Sequence, residues 1–201
     1  SYKHQEVKKA LFDASYNKCA YCESTSEGNY LEIEHFAPKS LYPELSIEWD
    51  NLLPSCKQCN IYKHTHDTIR DPIINPCKID PFPFFKYSNL KIYPSNKAPN
   101  QNLALKTIQV CGLNRTRLVE DRIRILKALA NWETEIEKKL LRMNHLGQNI
   151  KTHKLYLDLC ENIELIENLA RDFEKFSGLC KYFLSESEVY DKAKKCINLN
   201  K

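Results

Sequence analysis

The chain has 201 residues, of which 42% are hydrophobic and 28% are charged, and its net charge is +4. This composition is typical of a soluble globular protein, and the absence of an apolar run near the ~18 residues that span a bilayer predicts no membrane association. The modest positive charge permits nucleic-acid binding without predicting it, because 30 basic residues are nearly matched by 26 acidic ones.

A small unit of two strands and a helix is predicted near the start of the chain. A lead-in helix over residues 3–12 is followed by a strand at 30–34, where apolar and polar residues alternate. A second short strand is predicted at 49–53 and a helix at 57–66. A ββα unit of this size buries too little apolar surface to be stable without a staple.

The rest of the chain divides into a Pro- and aromatic-rich segment and a helical region. Residues 71–113 are predicted to form an irregular segment that wraps around the ββα unit. Residues 114–201 show helical apolar periodicity and predict a small bundle. Within it we expect two long helices, the second running through Phe173 and broken by Ser177-Gly178, and then a third, shorter helix.

Four cysteines form two pairs with the spacing of a zinc site, Cys19-x-x-Cys22 and Cys56-x-x-Cys59. Each CxxC turn directs two thiolates at one point, and a structural zinc takes four ligands in a closed tetrahedral site. Disulfides or buried free thiols are the alternative, but the odd total of nine cysteines excludes a fully paired framework and favours a reducing cytoplasm. The remaining cysteines are expected to pack as small apolar groups: Cys77, Cys111, Cys160, Cys180 and Cys196.

The predicted fold class is therefore α+β. Structural Zn²⁺ would staple a ββα unit within residues 1–70, and the wrapping segment and the mainly helical region would follow it.

Three motifs accompany the cysteine pairs. Glu34-His35-Phe36-Ala37-Pro38-Lys39-Ser40 and Trp49-Asp50-Asn51-Leu52 lie between the pairs, and Cys59 is followed by Asn60 and Lys63. Over residues 19–63 this arrangement resembles the HNH endonucleases, which implies a ββα-metal fold that hydrolyses phosphodiester bonds. Further similarity, to the HNH subunit of Septu-type and retron-associated anti-phage systems, lies in residues 18–23, Tyr42-Pro43-Glu44, Asp80-Pro81, Cys111-Gly112-Leu113-Asn114-Arg115 and Arg122.

The resemblance implies roles for the motif residues. His35 would act as the general base, since a neutral imidazole near pH 7 suits that task. Glu34 and Asn60 would bind a divalent cation, for which oxygen ligands favour Mg²⁺ or Mn²⁺. Asn51 would orient His35 through a hydrogen bond and tie down the loop between the strands.

The geometry of the helix and the strand refines these roles. Asn60, Lys63 and His64 share one face of the predicted helix, which places Lys63 to contact a phosphate. If His64 or His66 joins the site, softer ions such as Zn²⁺ or Ni²⁺ become candidates. Adjacent residues of a strand face opposite sides, so we expect the first strand to end or bend at the Glu34-His35 pair.

Partners follow from the resemblance and from the charge pattern. The nucleic-acid substrate is expected to be DNA first and structured RNA such as tRNA second. An ATPase subunit would dock on residues 114–201, and in retron-associated systems a reverse transcriptase and its RNA–DNA product would join the complex.

The alternative function is a zinc-stabilised nucleic-acid-binding or adaptor module without catalysis. For the basic segment 115–127 a solvated helix face is the alternative explanation. The candidate nucleic-acid contacts are Lys39, Arg115, Arg117, Arg122 and Arg124.

Overall fold

The computed structural model of the chain describes residues 5–25, 31–146 and 150–199. The chain divides into two compact units, Ser1–Glu120 and Asp121–Lys201. The predicted α+β class is confirmed, because the described strands all lie in the first unit and the described elements of the second unit are helices.

The first unit contains the predicted ββα arrangement. Helix α1 (Gln5–Ala14) precedes strand β1 (Leu31–His35), which pairs antiparallel with β2 (Leu52–Cys56), and helix α2 (Lys57–Lys63) follows directly. Strand β2 begins later than predicted because Trp49–Asn51 form a 3₁₀ turn. Strand β1 ends at His35, as the strand geometry had led us to expect.

The segment 71–113 is more regular than predicted. Strands β3 (Phe85–Ser88) and β4 (Lys91–Pro94) form an antiparallel hairpin, and helix α3 (Gln101–Val110) follows. The two turn residues between the strands both have positive φ, as a tight hairpin turn with the right-handed twist of its strands requires. The Asn100 side chain caps α3 by accepting a hydrogen bond from the backbone N–H of Leu103 at 2.9 Å.

Helix α4 (Thr116–Leu146) leads into the second unit, whose other helices are α5 (Ile150–Asn168), α6 (Ser177–Glu186) and α7 (Glu188–Leu199). No helix in the described part of the chain is both long enough and apolar enough to span a bilayer. The core of the second unit comprises Leu129, Ile136, Leu159, Ile163, Ile166, Cys180, Leu184, Ala193 and Ile197.

Three predictions for the helical region are wrong. The second long helix stops at Asn168 instead of reaching Phe173, and the Ser177-Gly178 pair begins a helix instead of breaking one. The predicted third helix is two helices separated at Ser187, whose side-chain oxygen accepts a hydrogen bond from the backbone N–H of Tyr190 at 3.1 Å. A serine in this position caps the helix that follows it, which explains the break.

Candidate functional site

The four paired cysteines meet in the first unit. Their sulfur atoms are buried and all lie within 4.8 Å of one another. The Cys22 and Cys56 sulfurs are 3.8 Å apart, and the edge of a ZnS₄ tetrahedron with 2.3 Å bonds is about 3.8 Å. Among the described residues this is the only such group of three or more His, Cys, Asp or Glu side chains, so the predicted cysteines fit a structural zinc.

The same cysteines fix the start of helix α2. The Cys56 sulfur accepts a hydrogen bond from the backbone N–H of Cys59 at 3.5 Å, so it also caps the helix. The backbone N–H of Ala20 donates to the carbonyl of Pro54 at 2.8 Å, which joins the first cysteine turn to β2. Since Asn60 follows Cys59 directly, the cysteine cluster holds the helix that presents Asn60.

A groove of about 480 Å³ lies beside β1 and brings Glu34, His35, Asn60 and His64 together. Every residue of β1 lines it, whereas one face of a strand would present only alternate residues. In the described chain β1 pairs with β2 alone, so the groove follows the other edge of β1. This edge geometry lets the adjacent Glu34 and His35 serve one site. The groove is lined by Lys8, Leu31, Glu32, Ile33, Glu34, His35, Pro38, Lys39, Asn60 and His64.

The imidazole of His35 is oriented by a backbone carbonyl. Its Nε2 lies 3.0 Å from the carbonyl oxygen of Ser46. A carbonyl oxygen only accepts hydrogen bonds, so Nε2 carries the proton and the lone pair of the neutral ring resides on Nδ1. Burial lowers the pKa of His35, and the charges of Lys39 and Lys63 lower it further, against the opposing effect of the Ser46 carbonyl. The side chain is therefore neutral and able to accept a proton near pH 7.

Asn51 acts on the loop and not directly on His35. Its Nδ2 donates to the carbonyls of Ala37 at 3.1 Å and Leu45 at 3.0 Å, and its Oδ1 accepts from the Ala37 N–H at 2.7 Å. The predicted hydrogen bond to His35 is thus replaced by an indirect connection: Asn51 holds Leu45, and the next residue, Ser46, holds the imidazole.

Lys63 does not occupy the predicted position on a phosphate. The residue is 1% exposed, and its ammonium lies 2.6 Å from Glu34 Oε1 and donates to the His35 carbonyl at 3.0 Å. Burial raises the pKa of the Glu34 carboxyl, and the Lys63 charge opposes that shift. Lys63 thereby joins the end of β1 to the end of α2 and balances the charge of the buried Glu34 carboxylate. This structural role replaces the phosphate contact that was expected from the helix face.

Glu32 is a site residue that the sequence predictions missed. Its Oε2 accepts a hydrogen bond from Asn60 Nδ2 at 2.9 Å. Because the amide nitrogen is engaged, the amide oxygen of Asn60 is the atom left to bind a cation. The signal was present in the sequence, since Glu32 and Glu34 stand two apart on a strand and share a face.

The two histidines after α2 differ in position. His64 lines the groove and is exposed, and its φ of 48° is uncommon for a residue with a side chain. His66 instead bonds through Nε2 to the carbonyl of Asp71 at 2.7 Å. Of the two softer ligands considered from the sequence, only His64 reaches the groove.

The basic residues predicted to contact nucleic acid differ in exposure and in the groups that they contact. Lys39 is exposed and lines the groove, and Arg117 and Arg124 are exposed. Arg122 is 1% exposed, so it is not placed to contact a phosphate. Arg115 points its guanidinium at the sulfur atoms of the cysteine cluster. The predicted phosphate contacts of Arg115 and Arg122 are therefore wrong in this structure.

The cysteines outside the cluster mostly follow the prediction. All nine cysteines lie in the described residues and none of them forms a disulfide, and Cys111 and Cys180 are buried as small apolar groups. Cys77 is exposed, which the prediction did not foresee, because it lies in a surface turn after Asn75.

Residues 19–66 match the sequence model of the HNH endonuclease family, so the chain carries an HNH domain at this site. The particular resemblance is to Septu protein PtuB. The chain is 51% identical over 85 residues to that protein from Bacillus thuringiensis, covering 41% of this chain and 33% of the relative. It is 30% identical over 158 residues to Septu protein PtuB of Bacillus mycoides (strain KBAB4), covering 63% of this chain and 53% of the relative.

A shorter match is to protein ea31 of Escherichia phage lambda, which is 42% identical over 48 residues, 24% of this chain and 16% of the relative. The resemblance to HNH endonucleases and to the Septu HNH subunit is confirmed. The chain spans only 33% and 53% of the two Septu relatives. These similarities do not bear on the retron components, which stay a prediction.

Proposed function

We propose that the chain is a metal-dependent HNH endonuclease that hydrolyses nucleic-acid phosphodiester bonds as the effector of a Septu-type anti-phage system. The observation that carries the proposal is His35: a neutral imidazole with its lone pair on Nδ1, in one groove with Glu34 and Asn60. The match of residues 19–66 to the HNH endonuclease family and the similarity to PtuB support it.

The reaction follows from the protonation state of His35. A water molecule in the groove gives a proton to Nδ1 and its oxygen attacks phosphorus. The P–O bond opposite the new bond breaks, and the leaving oxygen takes a proton from solvent. The Ser46 carbonyl stabilises the imidazolium that forms, because it remains hydrogen bonded to Nε2–H throughout.

Glu34 and Asn60 are the residues proposed to hold the divalent cation. Both line the groove, and their oxygen atoms suit Mg²⁺ or Mn²⁺ better than soft metals. When bound, the cation supplies positive charge for the phosphate and the leaving oxygen. Lys63 keeps the Glu34 carboxylate in place, and Glu32 keeps the Asn60 amide oriented.

The substrate class rests on the groove and its charge. Lys8 and Lys39 are exposed basic residues along its lining, which suits a phosphate backbone. Hydrolysis of the backbone requires no reading of bases, so DNA is proposed first and tRNA second. An ATPase subunit of the same defence system is the proposed partner, with residues 114–201 as its docking region.

The test is cleavage of plasmid DNA and of total tRNA by the purified chain with Mg²⁺ or Mn²⁺, each with and without the ATPase subunit. Cleavage that requires the divalent cation supports the proposal and identifies the substrate. Binding of either nucleic acid without cleavage in every combination would contradict it and favour the non-catalytic adaptor.

We expect activity to persist below the ordinary pKa of histidine. His35 has a pKa below its usual 6.5 in the folded chain, so the base stays neutral until the pH falls further. The same shift means that the unfolded chain binds this proton more readily, so the contribution to stability is lost as pH falls from 6.5 through the folded pKa. The dependence of kcat/KM on pH measures the effect, and an acid limb centred above 6.5 would contradict it.

We expect Glu32→Ala to weaken the binding of Mn²⁺ by about tenfold, because Asn60 loses the acceptor that holds its amide nitrogen away from the cation. Electron paramagnetic resonance of free Mn²⁺ measures the affinity without substrate. Glu44→Ala removes an exposed carboxylate that does not line the groove and is the matched control. An unchanged affinity in Glu32→Ala would show that Asn60 needs no orienting partner.

A further inference from the structure

Arg115 reaches the cysteine cluster from a distant part of the sequence. Its Nη1 lies 3.3 Å from the Cys59 sulfur, and its Nη2 lies 3.5 Å from Cys56 and 3.8 Å from Cys22. One guanidinium thus faces three of the four sulfurs. The fourth, Cys19, lies 3.9 Å from the hydroxyl of Ser55.

The turn before α4 holds the guanidinium in this position. Nη1 also donates to the carbonyls of Gly112 at 3.1 Å and Cys111 at 3.4 Å. The Tyr62 ring lies 5.8 Å from the guanidinium carbon. A Cβ on Gly112 would lie 2.4 Å from Cδ1 of Tyr62, and φ at this glycine is +57°. The turn therefore requires glycine at position 112. Arg115 is held by the carbonyls of this turn and by the Tyr62 ring.

The guanidinium of Arg115 can compensate the excess negative charge of the cysteine cluster. Four thiolates exceed the charge of one Zn²⁺ by two, and the four sulfurs are buried. A buried excess charge is costly unless a counter-charge and hydrogen bonds compensate it. The planar fork of arginine can donate to several sulfurs and carbonyls at once, whereas the single ammonium of lysine cannot match that geometry.

We propose that Arg115 is a functional part of the zinc centre: it donates hydrogen bonds to the thiolates, compensates their charge and slows the loss of zinc. The centre then extends beyond the four cysteines, and the part of the chain that zinc holds together reaches from Cys19 to Arg115. This role is independent of the nuclease activity proposed above.

The test is the rate of zinc transfer from the 201-residue chain to an excess of a chromophoric chelator. We expect Arg115→Gln to release zinc about tenfold faster than the unaltered chain. Removing a hydrogen-bond partner of a metal ligand usually lowers metal affinity by about 10–100-fold, and the expected change is at the lower end of that range. Arg115→Lys keeps the charge but not the fork, so an intermediate rate is expected. Arg117→Gln removes the charge of an exposed neighbour and should leave the rate unchanged.

A spectroscopic measurement separates thiolate hydrogen bonding from loosened packing. In the Co²⁺-substituted chain, losing donors to sulfur should move the sulfur-to-metal charge-transfer band to lower energy in Arg115→Gln and not in Arg117→Gln. If Arg115→Gln does not fold, Arg115→Lys carries both measurements. A release rate and a band position equal to those of the unaltered chain in either Arg115 variant, or equal changes in Arg117→Gln, would overturn the proposal.

Discussion

His35→Ala should lower the rate of nucleic-acid cleavage by about 10²–10⁴-fold, the usual contribution of a positioned general base. The variant removes Nδ1, the atom that accepts the proton of water. The second described imidazole that lines the groove, His64, pairs through Nδ1 with the Thr65 hydroxyl. Zinc content and melting temperature should change little in comparison, because His35 lies at the end of β1 and not in the cysteine cluster.

His66→Ala is the matched control for this loss. His66 is also a histidine of the first unit bonded to a backbone carbonyl, but its partner is Asp71 and it does not line the groove. Equal cleavage rates for His35→Ala and the unaltered chain would exclude the proposed base and with it the mechanism.

Cys56→Ser should abolish tight zinc binding and unfold the ββα unit. Cys56 is a candidate zinc ligand, and serine at this position keeps the backbone pairing of β2 and an oxygen that can cap α2, so the loss falls on the fourth ligand of the zinc site. Binding of a structural zinc contributes on the order of 10–16 kcal/mol in small zinc-dependent folds. Zinc content by mass spectrometry and thermal unfolding followed by circular dichroism measure the effect.

Cys77→Ser is the control for the loss of a thiol as such. Cys77 is exposed and lies outside the cluster, so its replacement should leave zinc content and melting temperature unchanged. A soluble Cys56→Ser chain that melts at the same temperature as the unaltered chain would refute the zinc staple.

The zinc cluster and most of the groove could be predicted because their signals are local in sequence. The CxxC spacing and the position of Asn60 after Cys59 depend on short helical and turn geometry. The motif predicts that Glu34, His35 and Asn60 lie close together, and all three line the groove.

The roles of Lys63 and Arg115 could not be predicted in this way. A lysine three residues after Asn60 has the right helical face, but whether its ammonium meets solvent or Glu34 depends on how α2 packs against β1. Arg115 lies 56 residues beyond Cys59, the sulfur it contacts most closely, and no local pattern joins the two. Both residues are basic, and sequence reasoning assigned both to phosphate because it could not weigh buried partners.

The hairpin in the segment 71–113 was missed for a different reason. Its strands are four residues each and lie among prolines and asparagines, a composition that favours loops. Asn89 tolerates a positive φ and marks the turn, but Leu90, which also has a positive φ, does not fit the usual turn sequence.

The edge of β1 that borders the groove has a consequence for how this chain behaves in concentrated solution. Within the described residues, that edge has no strand partner, and an open strand edge is a template on which another copy can add a strand. Charged side chains commonly protect a strand edge against the addition of another strand. Here these charges are Glu32 on β1 and Lys39 beside the same groove. A substitution that removes either charge therefore also removes a guard against self-association, and its light scattering should be compared with that of the unaltered chain before its catalysis is interpreted.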